Sequence, residues 1–323
     1  MKASQVLPAV VCLITSVHGH YTFDKLIVND VLEGSANTYI RPHQNGYMPT
    51  KFINAPEGSI TPLDEDFTCN KDSTAVYNVY SVKAGDKIGM QQAYGATGIQ
   101  HPGPSQVYIS PADGVASYDG TGSWYKVHQS LLCTSGDAES LRSTAWCTWN
   151  EDHVWFTVPS TIPNGQYLVR GEHIALHGAH GGEAEFYYAC AQIEVTGNSA
   201  TSIPGTAVQI PGVYQSTDDA VNFSLWGTST SYDYIPGPDV IPGGTIRGSA
   251  DGSSGDVSET VSDNSSSGSD DSSDNNSDGT RVGSTPSTTL VVVPPETPSA
   301  EATSAPVGQC GSFQSRRAKA FKA

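Results

Sequence analysis

The sequence predicts an all-β chain: an antiparallel β-sandwich with long loops, behind a short leader and ahead of a disordered tail. Three observations carry this. Short β-rich runs recur between Gly/Pro/Asn/Asp turns, few stretches read as a long amphipathic helix, and the composition changes after "YIPGPDVIPGG". The runs, in order, are "YTFDKLIV", "AVYNVYSV", "SQVYIS", "HVWFTV", "QYLVRGEHIAL" and "EFYYACAQIEV". The last sits in "GEAEFYYACAQIEV", which alternates from Phe186 on, the pattern of a half-buried strand.

The leader covers residues 1–19. Met1-Lys2 is a short basic start, and "VLPAVVCLIT" is an apolar core of signal-peptide length. A membrane span needs about 20 apolar residues, and this run is shorter. Val17 and Gly19 are small enough for the −3 and −1 positions of a cleavage site. Cutting after Gly19 makes His20 residue one of a secreted, extracellular protein; cutting after His18 would leave Gly19 there instead.

The globular part is expected over 20–244. From Thr245 to the end at residue 323 the chain is expected to be an extension, rich in Ser, Asp, Thr and Pro over most of its length. Such a segment buries too little apolar surface to offset its ordering entropy. Its Ser/Thr/Pro part looks like an O-glycosylated stalk, and "LVVVPP" is too short to anchor in a membrane. Asn222, Asn264 and Asn275 head Asn-X-Ser sequons.

The formal net charge is −17 over 323 residues. That balance argues against nucleic acid and anionic membranes as partners, and says little about a neutral polysaccharide. Besides Cys12 in the leader there are Cys69, Cys133, Cys147, Cys190 and Cys310. In an oxidising compartment the simplest reading is two disulfides and one leftover. No CxxC occurs, which disfavours a thiolate zinc site.

The histidines carry the chemistry. A free N-terminal histidine can chelate a metal through its α-amine and ring Nδ1 together, and one further imidazole completes a T of three nitrogens. Planar nitrogen ligation suits Cu(II). The partner must sit on a rigid loop, and His101 in "IQHPGPSQVYIS" is stiffened by two prolines and a glycine. His43, His128 and His153 sit in polar or loop contexts that read as structural or exposed. His173, His177 and His180 in "GEHIALHGAHGG" read either as a metal site of their own or as a histidine-bearing loop after a strand.

Five stretches now combine. "HGHYTFDKLIVN", "HPGPSQVYISPA", "IPNGQYLVRGEHIALHGA", "GEAEFYYACAQIEV" and "IPGVYQSTDD" resemble successive signatures of the fungal lytic polysaccharide monooxygenases of auxiliary activity family 9. They occur in that family's order and span His20 to about Val240. The resemblance implies an immunoglobulin-like (fibronectin-like) sandwich whose flat face carries one copper in a histidine brace, with His20 at the mature N-terminus. His20 and His101 are then the nitrogen ligands and Tyr187 the axial tyrosine, because the family's Gln-Phe-Tyr-x-x-Cys reads "EFYYAC" here. Tyr188 would face the other way. His177 matches the histidine that hydrogen-bonds oxygen species beside the metal. Glu185 replaces the usual glutamine, where burial and the metal's charge would push its pKa in opposite directions. The resemblance also pairs Cys69 with Cys190. Cys133–Cys147 is expected to close a short loop, worth about 3 kcal/mol in the chain-entropy model, with Cys310 left over.

The implied activity is oxidative cleavage of insoluble β-1,4-glucan, meaning cellulose or hemicellulose, at C1 and/or C4. It needs an external electron donor and O₂ or H₂O₂, and the protein would act as a monomer. Two rivals belong to other classes. A non-catalytic copper-binding protein would be expected to lack the axial tyrosine, and a carbohydrate-binding β-sandwich would not need a histidine at position one. A hydrolase would need paired carboxylates, and no recognisable motif holds such a pair.

Overall fold

A computed structural model of the chain describes residues 19–93 and 97–262. Its strands are β1 (Phe23–Val28), β2 (Val31–Glu33), β3 (Tyr80–Lys83), β4 (Lys87–Gln92), β5 (Ser105–Ala112) and β6 (Tyr125–Ser130). They continue with β7 (His153–Thr157), β8 (Gly165–Ala175), β9 (Glu185–Thr196), β10 (Thr245–Arg247) and β11 (Ser258–Thr260). The only α-helix among the described residues is Ala138–Leu141, capped by the Asp137 carboxylate on the Glu139 and Ser140 N–H groups.

Two sheets face each other. The smaller has the order β2-β1-β4-β7, and the larger β11-β10-β6-β5-β8-β9-β3. Pairing is antiparallel except for β6 with β10 and β3 with β9. The dry core between the sheets takes Phe23, Leu26 and Val28 from β1, Val154 and Phe156 from β7, and Val107, Val169, Ala189 and Ile193 from the larger sheet. This is the expected sandwich.

A second core lies on the other face of the larger sheet. Phe67, Trp124, Trp146, Tyr188, Cys190 and Tyr214 gather there under the long loops. It corrects the reading of β9 as half-buried: every residue from Glu185 to Ile193 is buried, because loops cover the face that alternation had assigned to water. Two disulfides hold this layer. Cys69–Cys190 ties a loop to β9, with Cα atoms 5.3 Å apart. Cys133–Cys147 closes the short loop, at 4.7 Å. Both are the expected pairs.

The boundary expected at residue 244 falls too early. Thr245–Arg247 is a strand of the larger sheet, and the chain is described through residue 262. Polar contacts hold this segment where apolar burial is scarce. Arg247 pairs with Asp256 at 2.6 Å and Glu151 at 2.7 Å, and Thr245 bonds to His128. The rest of the expected extension, Cys310, two of the sequons and residues 1–18 of the leader lie outside the described residues.

Candidate metal centre

One end of the sheets brings the predicted residues together. His101 sits on the "HPGP" loop that enters β5. Backbone bonds weld this loop to the end of β8: Ile174 N–H donates to Pro104 O at 3.0 Å and Leu176 N–H to Pro102 O at 2.8 Å. Gly103 is required, because at φ 157° any Cβ would come within 1.8 Å of the Ile174 carbonyl oxygen. The prolines and this glycine therefore fix where the His101 ring stands.

Around that ring stand His20 at 6.2 Å between ring centroids, Tyr187 at 5.6 Å and His177 at 4.8 Å. His20 lies 6.2 Å from Tyr187. Burial first, then the neighbouring His177 charge, pulls the His101 pKa down to about 4. The ring is therefore neutral at working pH and keeps a lone pair. Its Nε2 is shielded from solvent and without a hydrogen-bond partner. A buried, unpaired imidazole nitrogen is costly unless something binds it. What lies against it is residue 19: a Cβ built there would be 3.4 Å from His101 Cε1 and 3.6 Å from Nε2. Cleavage before His20 would clear that space and free an amine beside it.

Tyr187 is buried at the end of β9. Its O–H donates to Glu185 Oε2 at 2.6 Å, and its ring stacks on Tyr21 at 4.1 Å. Tyr21 in turn donates to His173 Nδ1 at 2.5 Å, while His173 Nε2–H donates to Gly103 O at 3.2 Å. Burial and then Glu185 hold both phenols protonated, well above the ordinary tyrosine pKa. Burial raises the Glu185 pKa, but the nearby His177 ring and the hydrogen bond from Tyr187 outweigh it and leave it at about 2. Glu185 Oε2 also lies 3.6 Å from His177 Nε2. Without any metal, the carboxylate is held ionised by neighbours that the sequence does not display.

The "GEHIALHGAHGG" histidines separate. His173 is fully buried within β8, not on a loop, and serves as a support for Tyr21. His177 reaches the cluster. His180 is exposed beside Trp226, at 6.5 Å. The run is not a metal site of its own: among the described residues no three His, Cys, Asp or Glu side chains converge to hold an ion. His128 is fully buried in β6, and His43 is half-buried on a loop, as is His153 at the start of β7. Tyr188 faces the second core, opposite Tyr187.

Sequence reasoning missed Tyr21, Trp226 and Tyr47. Only adjacency to His20 could have flagged Tyr21. Trp226 is 58% exposed and donates its indole N–H to His177 O at 2.9 Å. Tyr47 is exposed and lies 6.4 Å from His20.

Fold and cluster define a class: a two-sheet β-sandwich with His20, His101, His177, Glu185 and Tyr187 gathered at one end of the sheets, near exposed aromatics. The model for Auxiliary Activity family 9 (formerly GH61) matches residues 20–234. The AA9 family lytic polysaccharide monooxygenase D of Emericella nidulans is 43% identical over 258 residues, covering 78% of this chain and 86% of its own. The AA9 family lytic polysaccharide monooxygenase A of Aspergillus fumigatus is also 43% identical, over 256 residues, with 77% and 85% covered. Among solved structures, a cellulose-active polysaccharide monooxygenase from M. thermophila aligns with a TM-score of 0.56 at 25% identity, covering 68% of this chain and 98% of that one.

The chain belongs to Auxiliary Activity family 9, the lytic polysaccharide monooxygenases. It is an oxidoreductase of polysaccharide breakdown.

Proposed function

We propose that the mature protein is a secreted, copper-dependent monooxygenase that cleaves β-1,4-glucan, cellulose foremost, at C1 and/or C4. The observation that carries the reading is the unpartnered, neutral His101 Nε2 held beside His20 and Tyr187. Two imidazoles and a terminal amine suit copper. The family match begins at residue 20, which supports cleavage there.

His20 Nδ1, its amine and His101 Nε2 would hold the copper, with the Tyr187 phenol beside them. Bound copper would supply the one-electron chemistry that activates the oxygen co-substrate, with electrons from an external donor. The chain's own groups set the surroundings. Tyr187 is fixed by its stack on Tyr21, and its proton is committed to Glu185 Oε2. Burial and that bond keep the phenol neutral. The Glu185 carboxylate holds the His177 ring toward the same space, and His177 can orient an oxygen species by hydrogen bonding. Trp226, bonded to His177 O, and Tyr47, near His20, offer exposed aromatic faces on which sugar rings can stack.

The test is to incubate copper-loaded mature protein with swollen cellulose and ascorbate and to read the soluble products by mass spectrometry. Oxidised chain ends are expected. Tight copper binding with no oxidised ends would leave the non-catalytic copper protein as the better reading. Cellulose binding without copper would leave the carbohydrate-binding sandwich.

A further inference from the structure

Among the polar atoms outside this cluster that share its oddity, two line the same cavity. Asp24 Oδ1 and His43 Nδ1 are shielded from solvent and have no hydrogen-bond partner. Both residues line one small cavity of about 100 Å³, together with Thr22, Asn37 and Gly46. A water molecule's share of liquid volume is about 30 Å³, so the space takes an ion with a few waters.

The backbone explains how both come to line this cavity. Asp24 sits where the pairing of β1 with β4 slips between Phe23 and Lys25. A bulge re-aims the side chain it carries. The Asp24 carbonyl accepts from Asn37 N–H at 2.7 Å, which fixes the opposite loop against the strand. His43, farther along that loop, uses its Nε2 on Thr22 Oγ1 at 2.8 Å. In the tautomer whose Nε2–H donates to that hydroxyl, Nδ1 presents a lone pair. Burial pulls the His43 pKa down to about 4, so the ring is neutral under ordinary conditions.

In that tautomer the carboxylate oxygen and the imidazole nitrogen are both acceptors facing one cavity. A cation satisfies both. Their hardness suits zinc and its first-row neighbours, and two protein ligands completed by water make a weak site. We propose that Asp24 and His43 form a second divalent-cation site, distinct from the His20–His101 cluster, with which it shares no residue. Occupied, it would clamp the 37–46 loop to β1, immediately before Tyr47.

The experiment uses mature protein whose first site is already filled with one equivalent of copper, which outcompetes zinc there. Zinc is titrated by calorimetry while the copper EPR spectrum is followed. One further equivalent of zinc is expected, with the copper spectrum unchanged. His43→Ala and Asp24→Asn should each weaken zinc by about tenfold or more, since each removes one of two protein ligands. His180→Ala, an exposed histidine elsewhere, should leave it unchanged. Thermal unfolding identifies which variant is folded, and either one suffices. No second zinc at millimolar concentration would mean the cavity holds only a bridging water, and the site would be wrong. Zinc that survives both variants, or that His180→Ala alone removes, would overturn it equally. None of these outcomes depends on whether the protein oxidises cellulose.

Discussion

Tyr187 and Tyr188 are neighbours in β9, yet they belong to different halves of the molecule. Tyr187 stacks on Tyr21 and bonds to Glu185 at the end of the sandwich core. Tyr188 lies under the Arg170 guanidinium, 3.7 Å from its ring centre, and its hydroxyl pairs with Thr50 Oγ1 at 3.0 Å. Arg170 is fully buried, pairs with Glu172, and donates to Phe67 O at 2.9 Å. Tyr214 caps Glu172 at 2.6 Å from its own loop. The strand's period of two sorts the residues: one face of β8 and β9 reaches the candidate metal cluster, and the other staples the loops. Lesions on the first face should cost function at preserved stability. Lesions on the second should do the reverse.

The sharpest break comes at the N-terminus. A mature form carrying one extra residue before His20 keeps every side chain but moves the amine away. Copper affinity should fall by more than about 100-fold, beyond the usual loss from a supporting residue, because a ligand itself is removed. Calorimetry with unchanged thermal unfolding would place the effect on the functional face. Native affinity in the extended form would rule out the brace.

On the stapling face, Arg170→Met should destabilise the fold by about 3–5 kcal/mol, since it strands the Glu172 charge in a dry interior. Copper affinity of the protein that remains folded should not change. Denaturant titration measures the first and calorimetry the second. A loss of copper binding in folded Arg170→Met would join the two faces and undo the comparison.

His177→Ala should retain one copper per chain while turnover falls by about 10- to 100-fold, the usual range for a group that supports a metal site without ligating it. Copper loss in this variant would make His177 a ligand.

How much of this the sequence could display depended on where each polar group ended up. The "HPGP" loop was legible because stiff residues act locally. β4 ("KIGMQQ") and β6 ("YKVHQS") were missed because their polar residues read as solvated. Lys126 is in fact fully buried, its ammonium satisfied by Gln129 and by Pro236 O at 2.9 Å. "AVYNVYSV" was read as one strand, but only Tyr80–Lys83 pairs. Its first half bonds through the Gln192 side chain, which donates to Val76 O at 2.8 Å and accepts from Val76 N–H at 3.2 Å. Thr245–Arg247 looked like tail because its partners, His128, Glu151 and Asp256, are either remote in sequence or themselves tail-like. Polarity predicts exposure only when the partner is unknown.

His128 gives the finest test, because it lies away from the candidate metal cluster and should touch stability alone. It is 1% exposed, bonded to Thr245 Oγ1 at 2.7 Å and Ser130 Oγ at 2.9 Å, with the Trp155 ring 5.0 Å away. Burial, then the charges of Arg247 and Lys126, drives its pKa down to about 3. An unfolded histidine titrates near 6.5. Above that pH neither state holds the proton, and the full stability is present. Below it the unfolded chain takes up a proton that the native ring refuses. Stability should then fall with pH by about 1.4 kcal/mol per unit from this group until the native value is reached. His128→Gln keeps a side chain able to bond to both hydroxyls but cannot titrate. Urea unfolding between pH 7 and pH 4 should therefore show a shallower acid slope for the variant, with copper affinity at neutral pH unchanged. Equal slopes would mean that His128 is protonated in the folded protein and that the Thr245 contact holds an imidazolium.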